Sequence, residues 1–261
     1  MRKILLIIIP AALLLLCAIA LLIMYIMIGR GGVISMLSLV RRRTDMMQAA
    51  QYEDPSGLAL PYRIYVPENM DERIPVVLFL QGAGHEGTDN RDQTNAFGVA
   101  QPLLSRKNRE KYPCILLIPQ CPEERWWGED SIVAALMGML EQVAASYPTD
   151  PARVYVTGLS MGGAGTWGML AAYPDYFAAG APVCGGWDPE EAPLMTDIPI
   201  WVFHGAKDYP ENARVMVKAL EDAGAEHVKY TEYPKEGHWC WGRAYHEPEL
   251  FPWMFAQVKG E

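Results

Sequence analysis

Residues 4–28 are an almost unbroken apolar run of Ile, Leu, Ala and Met with no charged side chain. Past residue 50 the pattern changes to short apolar stretches separated by polar ones. Residues 62–66 alternate and stop at Pro67, whereas 75–80 and 114–119 are continuous. Further stretches at 153–157, 177–183, 198–203 and 228–233 complete the series. Short strands that are apolar on every position belong in a sheet covered on both faces. Between them, residues 131–146, 161–173 and 212–223 carry helical spacing; the last puts Val215, Met216, Ala219 and Leu220 on one stripe. Strands alternating with helices predict an α/β fold: a mostly parallel, doubly wound sheet with helices on both faces.

The first run has a different destination. As a helix, residues 4–28 span about 37 Å at 1.5 Å per residue. That crosses a hydrocarbon core of about 30 Å with some tilt. The run is too long for a signal peptide, and no small-x-small cleavage site follows it. The expected organisation is therefore an N-terminal transmembrane anchor over 1–30, a basic juxtamembrane connector over 31–50 and one catalytic domain over 51–261. Arg2 and Lys3 on one side nearly balance Arg30 and Arg41 to Arg43 on the other, so the positive-inside rule gives little direction. Long domains translocate largely regardless of charge, which places the catalytic domain on the extracytoplasmic side as an expectation.

Charge and cysteine content narrow the functions. The chain has 261 residues and a formal net charge of −9, and its one dense basic run, Arg41 to Arg43, adjoins the apolar segment. Phosphate backbones need a basic face, so nucleic acid is not an expected partner. The five cysteines show no CxxC or Cys/His spacing, and no metal is expected. Cys114 and Cys121 flank an extended stretch that holds them too far apart to bridge.

Gly158-Leu-Ser160-Met-Gly162 follows a predicted strand and opens a predicted helix. A nucleophilic serine needs such a sharp strand-to-helix turn to expose its oxygen. A hydroxyl also needs a base, which in this arrangement follows the acid in chain order. His238, in Glu236-Gly-His-Trp after the last strand, is the expected base. Asp208, four residues past the strand end at His204, is the expected acid that orients it. The oxyanion expects two backbone donors: the amide of Met161, and that of Ala83 within Gly82-Ala-Gly84 after the 75–80 strand.

With these residues the chain resembles the α/β-hydrolase superfamily. It is most similar to the serine-esterase group of predicted peptidases, poly(3-hydroxybutyrate) depolymerase-like and feruloyl-esterase-like enzymes. The likeness covers residues 52–257. It rests on Leu60-Pro-Tyr-Arg-Ile-Tyr-Val-Pro67, Gly82-Ala-Gly84 with Gly87-Thr-Asp-Asn90, and Pro119-Gln-Cys-Pro122 with Trp126-Trp127. It continues through Tyr155-Val-Thr-Gly-Leu-Ser-Met-Gly-Gly163, Ile198-Pro-Ile-Trp-Val-Phe-His-Gly-Ala-Lys-Asp208, and Tyr233-Pro234 with Gly237-His238. The resemblance implies cleavage of carboxylic esters, often on plant cell-wall carbohydrate, without a cofactor. Two departures stand out: Gln81 replaces the histidine usual before the oxyanion-loop glycine, and the loop after Asp208 is short.

Trp126, Trp127, Trp187, Trp239 and Trp241 all follow predicted strand ends, the edge where open α/β sheets bind ligands. Gly82, Trp127, Trp187 and Trp239 are the expected substrate contacts, with tryptophans stacking on a sugar or aryl group. Glu86, Asp89 and Arg91 either touch a polar substrate or hold the oxyanion loop. The expected function is a serine esterase acting through an acyl-enzyme on small-molecule or carbohydrate esters, membrane-bound through its N-terminal helix. The alternatives are a serine peptidase with the same triad and a catalytically silent tethered binding domain.

Overall fold

The computed structural model describes residues 43–68, 70, 72–95 and 100–260. The expected transmembrane segment lies outside these residues; among the described ones, no helix is long and apolar enough to cross a membrane. The chain divides into two units, Met1–Asp45 and Met46–Glu261, and the sheet belongs to the second.

The strands are β1 Gln48–Glu53, β2 Ala59–Tyr65, β3 Ile74–Leu80, β4 Ile115–Pro119, β5 Thr149–Leu159, β6 Ala179–Val183, β7 Ile200–Gly205 and β8 Val228–Tyr233. They form one sheet in the order β1-β2-β4-β3-β5-β6-β7-β8. From β4 to β8 all neighbours are parallel, while β1 and β2 run antiparallel at one edge. β1 begins inside the stretch expected as connector, and Met47 before it is buried. Its register, Gln48 opposite Ile64, starts it near the N-terminal ends of the parallel strands. β1 therefore begins at the end of the sheet opposite the one that carries Ser160.

The alternation of side chains explains the layers. Val76, Leu78 and Leu80 of β3 join one apolar cluster, with Leu117 of β4 and Val156 of β5. Val77 and Phe79 join another, with Leu116 and Tyr155. Successive strand residues face opposite sides, so a fully apolar strand needs a cover on each side. The three longest described helices, α1 Asp130–Ser146, α2 Met161–Ala172 and α3 Glu211–Asp222, cover the first side through Leu136, Leu140, Trp167, Met216 and Leu220. α4 Leu250–Ala256 covers the second, with Phe251 and Met254. Crossovers on both faces leave the C-terminal ends of the parallel strands free to deliver loops to one edge.

Candidate active site

The chain turns from β5 into α2 through Ser160, with φ +54° and ψ −115°. A non-glycine residue is uncommon there and costs about 1–3 kcal/mol unless its surroundings impose it. They do: the Ser160 amide donates to Val183 O at 2.9 Å, and Ser160 O accepts from the Ala164 amide at 3.0 Å. The flanking glycines make the turn possible. A Cβ on Gly158 would lie 2.2 Å from Gly162 O, and one on Gly162 would lie 2.0 Å from Leu80 O.

Ser160 Oγ lies 2.8 Å from His238 Nε2. His238 Nδ1 lies 2.6 Å from Asp208 Oδ2. A proton on Nδ1, donated to the carboxylate, leaves Nε2 to accept the serine hydroxyl. The side chain of Asp208 is 16% exposed and that of His238 is 42% exposed, so the acid is sheltered and the base faces the opening. The structure thus brings together the three residues that the sequence singled out.

The loops carrying acid and base are bonded to each other. Ala206 donates to Tyr233 O, Lys207 donates to Glu236 O, and Asp208 donates back to Gly205 O. Gly205 approaches so closely that a Cβ there would meet Gly237 O at 2.2 Å. Buried His204 adds a second support. Its Nε2 lies 2.6 Å from Asp208 O and 3.2 Å from Asp208 Oδ2.

The oxyanion loop is built around backbone contacts. A Cβ on Gly82 would come within 2.5 Å of Leu159 Cδ1 and 3.4 Å of Leu159 O, so the loop lies close against the nucleophile turn. Among the described residues, no protein group accepts from the amides of Ala83 and Met161, the two expected donors. Gln81 is fully buried, but its side-chain nitrogen and oxygen find no protein partner; Trp127 Nε1 instead donates to Gln81 O at 2.9 Å. Glu86 accepts from the Gly84 amide, and Asp89 accepts from the amides of Arg91 and Asp92 and from Gln120 Nε2. Both acids are engaged in shaping the loop. Desolvation pushes the Asp89 carboxyl up, but the Gln120 and backbone hydrogen bonds outweigh it and hold the group below its ordinary value.

A cavity of about 250 Å³ opens at Ser160, lined by Gly82, Ala83, His85, Leu159, His238, Trp239 and Trp241. Trp239 is 75% exposed and packs against Trp241 with ring centroids 5.1 Å apart. Two of the five tryptophans therefore form its wall. Trp127 is corrected from substrate contact to core: it is wholly buried, its indole tied to Gln81 and its Cβ against Gly165. Trp187 also lies outside the cavity lining. It donates to Glu191, packs over Gly168 and tilts against Trp126. His85 was missed as a wall residue; its place in the loop after Gly84 was the available signal.

Cys184, Asp208 and His238 also bring a sulfur, a carboxylate oxygen and an imidazole nitrogen within 4.8 Å of one another. Asp208 Oδ2 and His238 Nδ1 are already bonded to each other, so this grouping is the triad with a thiol beside it.

No family model matches the chain. Among curated proteins, poly(3-hydroxyalkanoate) depolymerase C of Paucimonas lemoignei is 34% identical over 129 residues, 47% of this chain and 30% of that protein. Feruloyl esterase B of Talaromyces funiculosus is 26% identical over 147 residues, 54% of this chain and 40% of that one. Among solved structures, a thermostable esterase superposes with a TM-score of 0.79 at 36% identity, covering 82% of this chain and 64% of that one. The chain spans less than half the length of these two curated relatives. The similarity to depolymerase and feruloyl-esterase proteins that the motifs carry is present in these comparisons, and the fold is that of the α/β-hydrolases.

Proposed function

We propose that this α/β-hydrolase is a serine carboxylesterase that works through an acyl-enzyme. The observation that carries the reading is the continuous chain Ser160 Oγ–His238 Nε2 and His238 Nδ1–Asp208 Oδ2, mounted on a strained elbow. Ser160 attacks the ester carbonyl while His238 takes its proton, and Asp208 stabilises the resulting imidazolium. The amides of Met161 and Ala83 receive the oxyanion; Met161 stands at the N-terminus of α2, where the helix dipole favours negative charge. His238 returns the proton to the leaving alcohol. It then activates water, which frees the acid.

The cavity of about 250 Å³ suits an acyl group of modest size, and its exposed Trp239 and adjoining Trp241 suit a flat partner. An aryl acyl group or a sugar ring on the alcohol side fits such a wall. The curated relatives, among them feruloyl esterases and a probable acetylxylan esterase of Aspergillus clavatus, support carbohydrate-linked esters as the substrate class.

The N-terminal apolar run supports a single-pass anchor, with the catalytic domain extracytoplasmic. Retention in membranes after carbonate washing, and protease accessibility of the domain in intact cells, test anchor and side separately. For the activity, the full chain in detergent is assayed on p-nitrophenyl acetate, butyrate and octanoate and on methyl ferulate, beside Ser160→Ala. Turnover lost in the variant is expected. A folded protein that turns over none of these esters, and whose Ser160 takes no fluorophosphonate label, refutes the reading.

A further inference from the structure

We propose that Cys184 and Cys240 form a disulfide that staples the end of β6 to the turn carrying His238. Their sulfurs lie 3.0 Å apart, about 1 Å beyond the length of a covalent S–S bond. Cys240 is wholly buried and Cys184 is 7% exposed, so in the folded protein each sulfur has the other as its neighbour rather than a thiol from solution. The other two described cysteines are placed differently. Cys114 precedes β4, and Cys121, just beyond that strand, turns its sulfur to Arg125 O at 3.4 Å.

The backbone of Cys184 is a second, independent observation. Its φ of +52° lies in the left-handed region, where the Cβ of an L residue crowds the backbone carbonyl. Such a residue persists where its surroundings impose it. The Cys184 amide donates to Phe203 O at 2.9 Å, and its sulfur lies 3.2 Å from His238 O. That unusual conformation aims the thiol at the base-bearing turn and at the only other sulfur there among the described residues.

The chemistry is thiol–disulfide exchange with a disulfide of an oxidising compartment. One thiolate of the pair attacks that disulfide, forming a mixed disulfide and releasing one thiol. The second thiolate then attacks the mixed disulfide at the protein sulfur and expels the second thiol. The protein loses two protons and two electrons, and the oxidant leaves as two thiols. In the finished fold this is slow, because the Cys184 hydrogen bond and burial push the Cys240 thiol far up and suppress its thiolate. The bond therefore forms as the chain folds. It does not depend on the esterase reading, and the proposed extracytoplasmic placement supplies the compartment it needs. Its effect is mechanical: the covalent loop ends two residues past His238 and holds that turn to the sheet.

The full chain, produced in an oxidising compartment, is acid-quenched, denatured, alkylated and digested with trypsin. The expected product joins peptide 154–207 to peptide 236–243 through Cys184 and Cys240, and reduction separates them. In thermal melts, reductant lowers the midpoint of the wild type by several degrees and that of Cys114→Ala equally. It leaves a Cys184→Ala/Cys240→Ala variant unmoved. The proposal is overturned if both peptides carry alkylated thiols in oxidised, folded protein, or if either cysteine is joined to Cys114 or Cys121. A reductant shift that persists in the double variant overturns it as well.

Discussion

Gly162→Ala tests the architecture of the nucleophile turn most directly. The added methyl would stand 2.0 Å from Leu80 O and 2.6 Å from Gln81 O, where 3.4 Å is ordinary contact. Both obstacles are backbone atoms at the end of β3, so no side chain can swing aside. The turn and the oxyanion loop must separate by about 1.4 Å, and overpacking of this kind costs about 1–3 kcal/mol. For a domain of this size, that lowers Tm by roughly 2–12 °C. The same movement parts the amides of Met161 and Ala83, which must both reach one oxyanion. A 1 Å misplacement or a lost donor each costs about 10²–10³ in rate. Gly242→Ala is the control, since its methyl would meet nothing within 4 Å. Melting curves and kcat on p-nitrophenyl acetate decide the matter, with acyl-enzyme burst amplitudes to locate the affected step. A Gly162→Ala enzyme with wild-type Tm and kcat within threefold of wild type refutes the claim that this close approach is required.

Trp127→Ala empties a fully buried site and costs about 3–5 kcal/mol in chemical denaturation. Trp239→Ala leaves stability unchanged and raises KM for aryl esters more than for acetate; the reverse pattern would return Trp127 to the substrate wall. Asp89→Asn lowers Tm at neutral pH by an amount corresponding to about 1 kcal/mol or less, since the group is largely exposed. Because its carboxyl is held below the ordinary value, the stabilisation is complete above about pH 4 and disappears as pH falls through the folded value, where variant and wild type converge. Cys114 and Cys121, whose thiols burial pushes up to about 12, react with iodoacetamide at pH 8 about three orders of magnitude more slowly than an unperturbed thiol near pKa 8.5, as mass spectrometry can time. Tyr209→Gly, at a residue with φ +33° and 86% exposure, keeps esterase activity within a few-fold and raises stability by up to about 1 kcal/mol.

The strands that the sequence shows best are those buried on both faces. β3, β4 and β7 are buried at every position, and their continuous apolar runs stand out for that reason. β1 was missed because an edge strand needs only backbone pairing with β2; its Gln48–Glu53 sequence is polar and largely exposed. α4 was missed because it is one short element of seven residues with Pro252 in its first turn. Ser160, Asp208 and His238 were legible because chain order and strand ends fix where such residues can stand. The tryptophans were not, because position after a strand says nothing about side-chain direction: Trp127 turns inward to Gln81 O, while Trp239 stays in solvent. His204 had a weak signal, its spacing of four from Asp208 across a turn. Its contact with the carboxylate is set by the fold.

The loop after Asp208 is short, and the geometry explains why the acid nevertheless stays in reach of His238. Asp208 is positioned by bonds that all lie before it in sequence or on the neighbouring loop. They are its own turn to Gly205, the Ala206 and Lys207 amides on the β8 side, and His204 from below. None of these uses residues 209–227, between Asp208 and β8. The loop can therefore lengthen or shorten after Asp208 without moving the carboxylate, while Tyr209 takes the sharp exit in an exposed, left-handed conformation. Acid and base belong to one cross-bonded unit of β7 and β8 ends, and the nucleophile belongs to another at β5 and β3. Cys184, just past the end of β6 between them, meets Cys240 from the His238 turn. A covalent bond at that point would fix the junction on which the Ser160–His238 distance depends.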